Sequence, residues 1–261
     1  MLRQFIQWLN ETSNTPDHLF RSYLFFRKCV GYIGIALPIV LVFGTMILER
    51  RLVILDSISS YYNSDMDGVP TFLDMRNIFV GSLCAIAIFL ICYRYEHLDD
   101  FVSTVAGASA IGVALFPTTP DKATGQQIAI GWAHGVFAAC FLLALATFAL
   151  WIFRKTDQKK GKLPPNSQHK NANGTIEIYD NRTRRKKLRD KIYLSCGITI
   201  LACLVLLVLI ALVQNLFLSG KPWLQPLHPV LLLEWLALWA FGFAWFVKGE
   251  TLCFLKDKAT P

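Results

Sequence analysis

What this chain lacks most is charge inside its apolar stretches. A hydrocarbon core of ~30 Å takes about 20 residues of helix to cross. Six runs approach or exceed that length: Cys29–Leu48, Asn77–Tyr93, Phe101–Pro117, Ile128–Phe153, Ile192–Leu218 and Pro229–Val247. Glu234 is the one charged side chain within them, and His134 the one histidine. A polar stripe is missing as well. Soluble amphipathic helices carry one, and LACLVLLVLIALV from Leu201 to Val213 does not. With 54% hydrophobic residues and a mean hydropathy of +0.43, an ordinary soluble domain is excluded.

Other absences narrow the function. The seven cysteines include no CxxC and fall mostly inside the apolar runs. They read as small packing residues, not as disulfides or metal ligands. The first apolar run starts near residue 29 without the short core and small-residue site of a leader, so no cleavable signal is expected. No basic platform interleaved with aromatics is present, which argues against nucleic acid as a partner. Internal repeats and matched broken helices are missing too. That counts against a small transporter, which stays an alternative.

What is present reads as an all-α membrane protein, a bundle of six transmembrane helices with an N-terminal interfacial helix. Residues 1–14 form the interfacial segment, because Leu2, Phe5, Ile6 and Leu9 share one helical face. Residues 15–153 hold the first four spans, 154–191 a basic loop and 192–254 the last two. Thr15 caps the first long helix, with Pro16 at its first position. Pro38 predicts a kink in mid-span.

Lysine and arginine set the expected orientation. With the N-terminus inside, the inner segments hold 21 of them and the outer segments 5. Both termini are therefore expected in the cytoplasm and the protein in the plasma membrane. The formal charge of +8 follows from that topology. The loop Arg154–Lys191 carries 13 basic and 4 acidic residues. KKGKLPPNSQHKNANG within it predicts disorder. Residues 182–191 are expected to meet anionic lipids of the inner leaflet, and a partner protein is a further option there.

Individual elements carry further expectations. Span three is rich in Ala, Gly and Ser and is expected at the bundle centre, since small residues permit close approach in lipid. Span five, packed with Leu, Ile and Val, is expected to face lipid. In span four, Gly131, His134, Gly135 and Ala138 share one inward face. Trp235, Trp239 and Trp245 fit interfacial belts and packing. Thr71-x-x-Asp74 resembles a capping box that would start span two near Phe72. Asp65-x-Asp67-Gly68 reads as a turn, the other ligands of a calcium loop being missing.

Depth brings a polar cluster together. Arg76 sits in the first outer turn of span two. Glu234 and His134 come five and six residues after the starts of their spans at Pro229 and Ile128, about 8–9 Å deep at 1.5 Å per residue. A carboxylate there is costly and needs a partner. Arg76 is the expected one, because guanidinium and carboxylate pair bidentately; the alternative for Arg76 is snorkelling to lipid phosphate at the outer surface. Asp74, Ser59, Tyr61, His228 and Asp121 complete an outward-facing ligand-binding pocket. The leading function is non-enzymatic binding of an envelope ligand or lipid headgroup, with no cofactor. A metal-dependent lipid hydrolase is the alternative.

MRNIFVG (75–81), YRYEHLDD (93–100), GVALFPTTP (112–120) and WAFGFAWFVKGE (239–250) resemble a group of bacterial six-span integral membrane proteins that contain a domain of unknown function. The likeness covers about Leu52–Phe153 and Lys191–Glu250. It implies a bacterial inner-membrane setting and no particular activity. A distant similarity is to the ceramidase-like and progestin-receptor-like transmembrane hydrolases, which gather a Ser, an Asp and three His around one zinc. Ser59, Asp74, His134, His228 and Glu234 could imitate part of that inventory. Those families have seven spans and an HxxxH in the last, and this chain has neither.

Overall fold

The computed structural model describes residues 16–50, 52–63, 74–93, 97–119, 124–155, 167–170, 176–179, 184–217, 227–252 and 255. Six helices run through it: α1 (Pro16–Glu49), α2 (Met75–Ile91), α3 (His97–Leu115), α4 (Gly125–Thr147), α5 (Arg184–Phe217) and α6 (Pro229–Lys248). Five of them, α4 taken with the turn that extends it, are long and apolar enough to cross a membrane. The sixth, α2, is an apolar helix of 17 residues, about 26 Å at 1.5 Å per residue. This is the architecture of a multi-pass helical membrane protein. The expected N-terminal interfacial helix lies outside the described residues, as do the Asp65–Asp67 turn and Asp121.

Local chemistry sets the boundaries. Asp74 caps α2 by accepting the Arg76 amide at 3.1 Å, an N-cap use of a carboxylate. The helix begins at Met75, three residues after the expected Phe72, with Asp74 as its cap; Thr71 lies outside the described residues. α4 starts at Gly125, three residues before the expected Ile128, because the Thr124 N–H donates to Gln127 Oε1 at 2.8 Å. α3 stops at Leu115, since Pro117 forces the preceding residue out of the helical region. α1 runs on through Pro38 as one helix. α6 ends with Glu250 left-handed (φ 54°). Thr251 N–H then returns to Phe246 O at 3.0 Å and Glu250 N–H to Val247 O at 3.3 Å, the Schellman closure.

Each helix packs on its neighbours in sequence, and α6 packs on α1, so the six form a closed ring. α4 also meets α6 across the ring, with Phe141 and Phe241 rings 6.5 Å apart. α3 therefore sits between α2 and α4 and not at the centre. Its small side chains, Ala106, Gly107 and Ala110, are buried, because it approaches a neighbour closely on both sides. The α1–α6 seam is also tight. A Cβ on Gly242 would lie 2.9 Å from the Gly31 carbonyl, so only hydrogen fits there.

The core is aromatic toward one end. Trp245, read as a belt or packing residue, packs: it is buried among Tyr93, Phe148 and Phe153, with ring centroids 5.4, 5.9 and 5.2 Å away. The Arg27 guanidinium lies 5.4 Å over Tyr93 and Lys248 Nζ 5.5 Å over Phe153, both cation–π contacts. α5 is the least buried of the spans, which matches a lipid-facing helix. In α4, His134 is buried but Gly135 is exposed, so the inward face is narrower than its spacing implied. In the basic loop, Ser167–Lys170 pairs antiparallel with Ile176–Tyr179. The expectation of disorder is corrected at Ser167–Lys170, whose partner strand IEIY is β-branched and aromatic, which suits a strand.

Candidate functional site

Helices alternate in direction, so the 52–63 segment, the end of α3 and the starts of α2, α4 and α6 share one end, the loop end. α5 begins at the opposite, basic end. The segment after α1 closes the loop end with a short 3-10 turn, Ser59–Asn63. Its sequence dictates the turn. Ser57 Oγ accepts the Ser60 amide at 2.9 Å and shares a hydrogen bond with Ser60 Oγ at 2.7 Å. That is helix N-capping on a small scale. It leaves the Ile58 and Ser59 amides unclaimed at the start of the turn.

Glu234 claims them. Its Oε2 accepts Ile58 N–H at 2.6 Å and Ser59 N–H at 3.3 Å, and its Oε1 accepts Ser59 Oγ–H at 3.4 Å. A carboxylate at the start of a helical turn meets aligned N–H dipoles, so backbone donors stabilise it without a counter-charge. Deeper in the turn, the Tyr61 ring is completely buried.

The expected Arg76–Glu234 ion pair is not formed. Arg76 Nε donates to Tyr62 O at 2.7 Å, and its guanidinium lies 5.1 Å over the Tyr62 ring. Arg76 thus holds the far end of the same turn. The two charges are connected through the turn they both grip. Its last residue reaches the segment that follows α3: Asn63 Nδ2 donates to Thr118 Oγ1 at 2.8 Å and to Thr118 O at 3.2 Å.

His134 and His228 also act locally. His134 is buried and its Nδ1–H donates to Phe116 O at 2.7 Å. That satisfies a carbonyl left over at the end of α3 and pins α4 to it. Gly131, one turn earlier, allows the approach, since a Cβ there would overlap Thr119 Oγ1. His228 is left-handed (φ 42°) just before α6, and its Nδ1–H donates to Asp56 Oδ1 at 2.9 Å. The Asp56 carbonyl accepts Leu231 N–H at 2.9 Å, so the loop lies across the start of α6.

Arg76, Asp74, Ser59, Tyr61, Glu234, His134 and His228 therefore share one end of the molecule, yet they divide into separate local bonds. No group of three or more His, Cys, Asp and Glu able to hold a metal ion occurs among the described residues. The zinc-hydrolase inventory is thus not assembled by these side chains. Sequence reasoning placed Ser57 in the cluster and missed Asp56 and Asn63. Ser57-x-x-Ser60 was the available signal for the cap. No protein-family model matches the chain, and neither a curated protein nor a solved structure does.

Proposed function

We propose that this is a non-enzymatic membrane protein that holds a lipid headgroup or other polar envelope ligand on the outer rim of its loop end. The observation that carries the reading is how the candidate groups are engaged. His134, His228 and Glu234 each bond to a loop or helix-end partner, which supports a built scaffold over a proton-transferring dyad. A rim of mixed character supports the lipid part. Leu52, Ile54 and Leu227 are exposed around the Asp56–His228 pair. Apolar side chains beside polar tips suit the boundary between headgroups and acyl chains.

Native mass spectrometry of the detergent-purified full chain, with metal analysis alongside, tests this. The expected result is a co-purifying lipid that Asp56→Ala/His228→Ala reduces, with no bound metal. About one zinc per chain, lost in His134→Ala, would overturn the reading in favour of hydrolysis.

A further inference from the structure

The basic end carries a second, separate site. A cleft of about 190 Å³ opens between the end of α4 and the start of α5, lined by Arg154, Lys187, Asp190, Lys191 and Leu194. Its one acid is turned to a neighbour, with Lys186 Nζ 2.8 Å from Asp190 Oδ1. Lys186 also donates to the Arg154 and Lys155 carbonyls at 3.2 and 3.3 Å, so it fixes the wall of the cleft. Arg154 donates through Nη1 to Leu150 O at 3.2 Å. The Arg154 side chain is half-buried and lines the cleft, where a guanidinium can meet a phosphate oxyanion.

The surroundings identify the ligand's shape. Lys187, Lys191, Leu194 and Ile198 follow one another at helical spacing on α5, charge first and apolar side chains after. Leu194 and Ile198 are exposed, and so are Val205, Leu209 and Leu212 further along. Beside the cleft, Trp151 on the π-helical turn is 65% exposed, the placement of an interfacial tryptophan. A cationic cleft opening onto a long exposed apolar helix face fits a charged head with acyl chains attached. Its volume is below the ~300–1,000 Å³ of drug-sized pockets, which suits one phosphate group.

We infer that this cleft binds the phosphate headgroup of an anionic membrane lipid, with the acyl chains lying along α5. The ligand class is a phosphate ester, and a soluble phosphate is the competing source. The test uses the full chain in detergent, titrated with phosphatidylglycerol or phosphatidylcholine and read by native mass spectrometry. Wild type is compared with Lys187→Gln/Lys191→Gln, with Lys187→Arg/Lys191→Arg and with Arg184→Gln, an exposed cation on the same helix outside the cleft lining.

Each juxtamembrane charge contributes about fivefold in affinity for anionic lipid, so the double Gln variant should bind phosphatidylglycerol about 30-fold more weakly. The double Arg variant should keep it, and Arg184→Gln should fall well short of the double loss. Millimolar inorganic phosphate should leave the lipid bound. Three results would overturn the assignment: no preference for phosphatidylglycerol, an equal loss in Arg184→Gln, or displacement by inorganic phosphate. The loop-end reading is tested separately, since Asp56→Ala/His228→Ala leaves this cleft untouched.

Discussion

Replacing Glu234 by alanine removes the acceptor of three donors, and the structure sets how much that costs. Ile58 N–H, at 2.6 Å, is the strongest of them; Ser59 N–H and Oγ–H, at 3.3 and 3.4 Å, are long. Ile58 and Ser59 are buried, so their amides have no easy recourse to water. An orphaned buried donor costs ~1–3 kcal/mol, and the two longer bonds add a fraction each, for a total of about 2–4 kcal/mol. In a chain of this size that corresponds to a fall in Tm of about 5–15 °C. Glu234→Gln keeps a carbonyl oxygen for Ile58 and loses the charge assistance, about 1 kcal/mol. The assay is thermal unfolding in detergent followed by tryptophan fluorescence, with hydrogen exchange across residues 52–63. Exchange should accelerate at Ile58 and Ser59 in the alanine variant. A double-mutant cycle with Arg76→Ala should give a coupling below ~1 kcal/mol, because the two side chains grip opposite ends of the turn. If Glu234→Gln proves as damaging as Glu234→Ala, or the cycle gives several kcal/mol, a direct charge pair is present and this account of the carboxylate is refuted.

His134→Phe keeps the volume but loses the bond to Phe116 O, so it should cost ~1–2 kcal/mol, seen as a lower Tm. Gly242→Leu drives a side chain into Ile35 and the Gly31 carbonyl. It should destabilise by at least ~1–3 kcal/mol and reduce folded yield, whereas a variant at the open Gly81 should not. Asp56→Ala breaks a partly exposed pair with His228, where surface ion pairs contribute ~0–1 kcal/mol. Its Tm should stay within about 4 °C of wild type. Asp99→Ala removes the buried partner that Lys155 Nζ meets at 2.5 Å. It should lower Tm more than Asp56→Ala does in the same unfolding scan.

The helices were legible because a run of apolar side chains declares itself residue by residue. The expected start of the last span, Pro229, is where α6 begins. The requirement that Glu234 have a partner was legible too, from the cost of a carboxylate at that depth. The partner's identity was not. Two of its three donors are backbone amides 175 and 176 residues away, and an amide leaves no mark in a sequence, whereas an arginine does. Arg76 shows the converse, since its acceptor is a carbonyl. The small residues of α3 correctly announced close packing. They did not say whether two helices or five would surround it, because the same composition serves both arrangements.

A ring made from sequence neighbours has one seam that chain connectivity does not guide, between its first and last helices. In lipid, apolar surface gives little preference for one register over another. That seam carries polar contacts at three heights. At the loop end, Glu234 and the Leu231 amide bind the segment that follows α1. Midway, Trp239 Nε1 donates to Ile35 O at 3.2 Å. At the basic end, Arg27 Nη1 donates to Lys248 O at 3.4 Å. Three directional contacts at three heights fix both the rotation and the axial position of α6 against α1. The Glu234 carboxylate therefore acts through geometry as much as through energy. Sliding α6 by one turn would move it ~5.4 Å along the helix axis, away from both amides of the 3-10 turn.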